Sequence, residues 1–226
     1  PAALGLAVAV WMNVSAGLAG LAGSILLTLP LALPNGRARK SAAFAVGGLI
    51  LLALLGVWLL PNLPGMFGEA HALLHGESDP TFGSGRIYIW KNVWEAICAC
   101  PWFGGGPDTL THQVSAYFER YDADANRILR ATIDAAHNEY LNIWANQGVF
   151  ALLCWLGALG ASAVRFVRRA DEAETLICGS AVLGYCIQAF FGISTCISAP
   201  YLFLAWAMLE GQREPLQNKT EIQKQK

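Results

Sequence analysis

Residues 41–60 read SAAFAVGGLILLALLGVWLL, a run without a single charged side chain. A helix needs about 20 apolar residues to cross the hydrocarbon core of a bilayer. The run therefore predicts a membrane-crossing helix, and a fold shaped by lipid more than by one water-excluding core. Working outward, 15–33 is a second apolar stretch, closed by Pro30 and Pro34. Beyond a polar middle, 149–164 is apolar, with its helix expected to start near Asn138, and 175–192 follows. The final stretch, 193–209, cannot extend that last helix as one span, because together they would run to about 50 Å. A turn at 194–200 is expected instead, giving a two-helix hairpin.

Composition agrees. Of 226 residues, 55% are hydrophobic and 14% charged, with a mean hydropathy of +0.42; soluble domains carry about 25% charge. Residues 1–36 have no charged side chain at all. A net charge of −1 without a basic patch excludes nucleic acid as a partner. The chain opens at Pro1 inside an apolar run, with no basic n-region, so a signal peptide is not expected and the C-terminal part of a longer protein is. Cys154, Cys178, Cys186 and Cys196 lie in or beside apolar spans, where cysteine acts as a small hydrophobe. Cys98 and Cys100 lack a second pair for a zinc knuckle.

Basic residues orient the spans. Arg37, Arg39 and Lys40 follow the first long stretch, Arg165, Arg168 and Arg169 follow the span ending near 164, and Arg213, Lys219, Lys224 and Lys226 are in the tail. Lys and Arg gather in cytoplasmic loops, and all three clusters fall on one side for spans at 15–33, 41–60, 138–164, 175–192 and 198–210. The expected layout is transmembrane helices over 1–60, an extracytoplasmic loop with amphipathic helices over 61–137, transmembrane helices over 138–211 and a cytoplasmic tail over 212–226.

The polar middle is long for a connection without function. His71 and His75 stand at i and i+4, a spacing that can hold a metal; a short helix at the membrane surface is the favoured reading, since no third ligand is evident. From Arg86 to Cys100, Trp90, Val93, Trp94 and Ile97 recur at helical spacing. Arg86 projects from the same face, where an arginine requires an anionic partner. A structural carboxylate and a phosphate held by the planar guanidinium are equally open at this point. Residues 103–108, Phe-Gly-Gly-Gly-Pro-Asp, predict a turn rather than a phosphate loop, because no strand precedes and no GK[ST] follows. Asp108 and Thr109 are expected to cap a helix running through Gln113 to Phe118. His137 falls where the loop re-enters a span. Leu141, Trp144 and Gly148 continue its helical face, which aims the imidazole at the bundle. Asp134, one turn earlier, is placed to orient or charge it.

Three elements then stand in order: Ser84-Gly85-Arg86 with Trp90, Pro101 through Gly104-Gly105-Gly106-Pro107-Asp108-Thr109, and Asp134 through His137-Asn138-Glu139-Tyr140-Leu141 with Gly148. This series resembles the C-terminal membrane domain shared by the bacterial O-antigen ligase and polymerase family, over about residues 10–210. The resemblance implies an all-α, multi-span helical bundle of the GT-C type with a large, partly helical extracytoplasmic loop, in the bacterial plasma membrane. It implies a metal-independent glycosyltransferase that uses no cofactor. Such an enzyme moves a glycan from an undecaprenyl-pyrophosphate carrier to a hydroxyl on a glycan, lipid or protein acceptor. Arg86 would then neutralise the pyrophosphate leaving group and His137 would orient or deprotonate the acceptor. Arg127, Arg130, Asp134 and Asn138 would be further substrate contacts. Members often carry Ser-Arg where this chain has Ser15-Ala16, so one expected pyrophosphate contact is missing. A transporter or flippase for a lipid-linked or anionic solute, and a non-catalytic member of the same fold, are the alternatives. A transporter should show repeated, broken spans in both halves, and the spans here show none.

Overall fold

The computed structural model describes residues 15–34, 36–61, 63, 66–77, 79, 82–83, 85–122 and 126–211. In chain order the elements are α1 (Ser15–Thr28), α2 (Gly36–Leu59), α3 (Met66–Leu74), α4 (Arg86–Ala99), α5 (Leu110–Gln113), β1 (Tyr117–Asp122), β2 (Arg127–Thr132), α6 (Glu139–Arg168), α7 (Ala173–Ala189) and α8 (Ala199–Gly211). Two of them, α2 with 24 residues and α6 with 30, are long and apolar enough to cross a membrane. The apolar helices α1 and α7 are shorter.

Helix dominates, as expected, with one correction to an all-α fold. Strands β1 and β2 pair antiparallel, with Tyr117 opposite Thr132 and Asp122 opposite Arg127. The predicted helix from 110 to Phe118 shrinks to the four residues of α5, and Phe118 lies in β1. Thr109 precedes α5 without a side-chain cap, and Asp108 adopts φ 56°. The first apolar stretch also shortens, since α1 stops at Thr28 and not near Leu33. Pro30 has no N–H to continue the ladder and biases Leu29 away from helix.

Two cores hold the chain. One lies in the polar middle: Ile89, Val93, Ala96 and Ile97 of α4 pack on Leu110, Val114, Ile133, Ala136 and Ala145. The buried face of α4 is therefore rotated from the expected one. Val93 and Ile97 are inside, while Trp94 is half exposed and meets Trp144 edge-on at 5.4 Å. The other core joins α6, α7 and α8 through Phe166, Cys178, Val182, Leu202 and Leu209. Helix α1 lies against α7 at backbone distance, since a Cβ on Gly20 would stand 2.6 Å from the Gly184 carbonyl oxygen. Small residues let apolar helices approach in this way. Helix α2 buries no residue, an arrangement that an apolar helix tolerates against lipid and not against water.

Arg39 ties one end together. Its Nη2 donates to the carbonyls of Leu31 (3.0 Å) and Leu33 (3.1 Å) and to Asp171 Oδ1 (2.6 Å). Asp171 is 75% exposed, so the ion pair itself contributes little. Arg39→Ala is expected to cost ~1–2 kcal/mol because it orphans two carbonyls, whereas Asp171→Ala should cost less than ~1 kcal/mol. Thermal unfolding of the two variants in detergent would show equal losses if the carbonyl bonds contributed nothing. Nearby, Arg165 pairs with Glu210, which also accepts from Ser162, and Trp206 Nε1 donates to that serine at 2.6 Å.

Candidate functional site

Three segments meet at one junction: the start of α4, the approach to α6 and the turn between α7 and α8. Gly85 enters α4 with φ 83°. Arg86 follows, donating from Nη1 to the Gly83 carbonyl (2.8 Å) and from Nε to the Phe191 carbonyl (3.3 Å). The Gly83 N–H is held in turn by Glu69 (2.8 Å). Among the described residues Arg86 forms no ion pair. The guanidinium is fixed by neutral carbonyls, and its positive charge is not matched by a described carboxylate.

One turn along α4, Trp90 stands edge-on to Phe190 at 5.7 Å. Its indole N–H donates to the Ala136 carbonyl at 2.9 Å. Ala136 is fully buried, and its own N–H is taken by Asn142 Oδ1 at 3.2 Å. The residue before His137 is thus held through both its N–H and its carbonyl. After it, Asn138 caps α6 by accepting from the Leu141 N–H (3.1 Å). Glu139 accepts from the Ser194 N–H, and the Tyr140 hydroxyl donates to the Cys186 carbonyl (2.8 Å).

His137 sits between these fixed neighbours with φ 48°. Left-handed backbone is uncommon for a non-glycine residue and persists where its surroundings over-determine it. The residue precedes α6 rather than lying in it, and it is exposed. That corrects the expectation of an imidazole on the face of Leu141 and Trp144, turned into the bundle. Asp134 is exposed as well, and no hydrogen bond joins the two among the described residues. Asn138, 3% exposed, has its side-chain oxygen committed to the cap. Asn138→Ala is expected to cost ~1 kcal/mol, while Asn138→Asp retains the cap; equal destabilisation by both would rule out capping as the side chain's main contribution.

Arg130 binds Glu119 across the hairpin at 2.7 Å, both side chains well exposed. Arg127 starts β2 opposite Asp122. Arg130 is not among the residues bonded at the junction. Away from the site, His71 Nδ1 bonds the Val57 carbonyl at 2.8 Å and its ring lies tilted 4.1 Å from that of His75, which stands 4.8 Å from Trp58. These contacts seat α3 against the end of α2. No group of three His, Cys, Asp or Glu is placed to share a metal among the described residues.

The glycine turn braces the junction from the other side. Gly105 and Gly106 donate to the carbonyls of Ala145 (2.9 Å) and Asn146 (3.0 Å), and Val149 donates to the Pro101 carbonyl (3.0 Å). These are the carbonyls that a continuous helix would have paired with Val149 and Phe150. The turn replaces the helical bonds one for one, so α6 breaks at Gly148 (φ 86°, ψ 173°) without leaving them unpaired. Trp144 Nε1 adds a bond to the Pro101 carbonyl at 3.0 Å.

A family model described as O-antigen ligase matches residues 1–156. The chain belongs to the O-antigen ligase family. The match takes in Arg86, Trp90, the glycine turn, His137 and Gly148; the α7–α8 turn that supplies Phe190, Phe191 and Ser194 lies beyond it. No curated protein matches the chain. O-antigen ligase membership makes this a membrane protein with a glycosyltransferase-like activity in O-antigen polysaccharide synthesis. Sequence reasoning missed Glu139 and Asn142 as struts of this junction, and it placed Trp90 on an apolar face and in the Arg86 motif without its bond to Ala136. An Asn immediately before Glu139 was a usable cap signal; nothing local marks the Trp90 and Asn142 bonds.

Proposed function

We propose that this protein transfers a glycan from an undecaprenyl-pyrophosphate carrier to an acceptor hydroxyl on the extracytoplasmic side of the bacterial plasma membrane. In this reading the chain is a multi-span helical bundle of the GT-C type, and residues 61–137 form its outer loop. The Arg39–Asp171 and Arg165–Glu210 pairs support that layout, because they draw the first two basic clusters and α8 toward one end.

The observation that carries the mechanism is the Trp90–Ala136 hydrogen bond. It couples the helix that begins with Arg86 to the peptide immediately before His137. Arg86 binds the pyrophosphate through its planar guanidinium. The acceptor oxygen bonds to the sugar C1 as the C1–O bond to phosphate breaks, and the charge that builds on the departing pyrophosphate is stabilised by the fixed cation. An imidazole can exchange a proton near neutral pH, and a ring nitrogen of His137 takes the acceptor's proton or holds the hydroxyl in line. Arg127, Arg130 and Asp134 contact the glycan or its carrier at the rim, and the donor and acceptor enter from the exposed side of His137.

The test is transfer in proteoliposomes supplied with a lipid-pyrophosphate-linked glycan and candidate acceptors. His137→Asn is the informative variant, since asparagine tolerates left-handed backbone and removes only the imidazole. It should lower the rate ~10²–10⁴-fold with normal membrane insertion. A parental rate in this variant removes His137 from the mechanism, and ion-coupled flux without any glycan transfer favours a transporter. Trp90→Phe should fold and transfer more slowly, with the loss in kcat rather than KM; an unchanged kcat would mean that the Ala136 bond does not position the site.

A further inference from the structure

The glycine turn carries aromatic side chains that the transfer mechanism does not use. Trp102 is 60% exposed, Phe103 79% and Phe150 52%. Trp102 stacks on Phe150 at 5.8 Å and Phe103 lies 5.7 Å from the same ring. Three large exposed aromatics in one cluster mark a surface meant for apolar or interfacial contact.

Their depth follows from α6. Its basic end is marked by Arg165, Arg168 and Arg169, and the segment beyond the kink, 149–168, is about 20 residues, or ~30 Å. Counted from the basic end, the opposite boundary of the hydrocarbon falls at Phe150. A second ruler agrees. Helix α2 starts at Arg37, Arg39 and Lys40 and reaches half-exposed Trp58 near its far end. The Arg39–Asp171 pair joins its basic end to the turn that follows α6. Trp58 and Phe150 therefore reach similar depth, and aromatic rings gather at such boundaries.

We propose that Trp102, Phe103 and Phe150 form an anchor seated in the phospholipid headgroup region of the leaflet that faces the loop. The turn bonds directly to Ala145, Asn146 and Val149, so the anchor sets the depth of the Arg86–His137 junction relative to the bilayer. The inference rests on α6 spanning the membrane and is independent of the transfer reaction.

Phospholipids brominated near the headgroup or near the acyl-chain end test it by tryptophan quenching in reconstituted vesicles. Two reporters are compared with the parent: Phe103→Trp, at a position exposed enough to accept it, and Leu156→Trp, further into α6. Trp102→Phe supplies the complementary loss of signal. Shallow bromines should remove about half or more of the emission added at position 103, and deep bromines less, with the opposite order at 156. Emission at 103 that ignores both lipids and falls with aqueous iodide, while 156 still responds to deep bromines, overturns the anchor and leaves the span intact. Stronger quenching of 103 by the deep set also overturns it. Silence at both positions removes the span, and the anchor with it.

Discussion

Arg86→Ala should lower glycan transfer by ~10²–10³-fold, about 3–4 kcal/mol of transition-state stabilisation. The size follows from what holds the side chain. Its two bonds run to the carbonyls of Gly83 and Phe191, so the fork is positioned by neutral groups that leave its charge for a ligand. Loss of those bonds alone would disturb stability by only ~1–2 kcal/mol, because the side chain is partly exposed and water can replace it. Arg86→Lys separates charge from shape: lysine keeps a point charge without the two-pronged geometry, and an intermediate rate is expected. Transfer assays on inserted protein decide the matter. A parental rate in the alanine variant would leave Arg86 as a loop strut and remove the pyrophosphate assignment.

Gly148→Val should destabilise the fold by roughly 2–6 kcal/mol, the sum of backbone strain and overpacking. At φ 86° and ψ 173° the backbone lies in a region open almost solely to glycine. A Cβ there would also stand 2.1 Å from the Trp102 carbonyl oxygen and 2.5 Å from the Phe103 Cα. Neither contact is with a flexible side-chain tip, so the turn itself would have to move. Gly104 faces the same constraint from the other strand of the brace, with φ 69° and a Cβ position 2.5 Å from the Asn146 carbonyl carbon. A Gly148→Val protein that unfolds in detergent at the parental temperature would show that the kink is dispensable.

Much of this is legible in the sequence. The 41–60 run became α2, because an uninterrupted apolar run of span length is a strong and local signal. The start of α4 at Arg86 and the turn at 103–108 were also local, set by glycines on either side of a 3.6-residue pattern. The hairpin was not. Its strands carry Glu119, Arg120, Arg127 and Arg130 beside Tyr117 and Ile128, and no Asn-Gly or Asp-Gly pair marks the turn. The site was legible in its chemistry and less so in its geometry. Arg86 and His137 stand out as residue types, but the Trp90–Ala136 bond between their segments spans 46 positions in sequence. Helical periodicity does not reach back across Asn138 to His137, because the Asn138 side chain ends the loop and starts the helix.

The exchange of hydrogen bonds between residues 101–106 and 145–149 has a practical corollary for anyone recombining homologous enzymes. The loop and the helix behind it are not separable cassettes, since each supplies the main-chain partners that the other lacks. A chimera cut between residues 107 and 144 would pair one parent's glycine turn with the other parent's kink, and should assemble only where the two bend alike. Cut points outside 101–149 carry both halves of the joint and should preserve it.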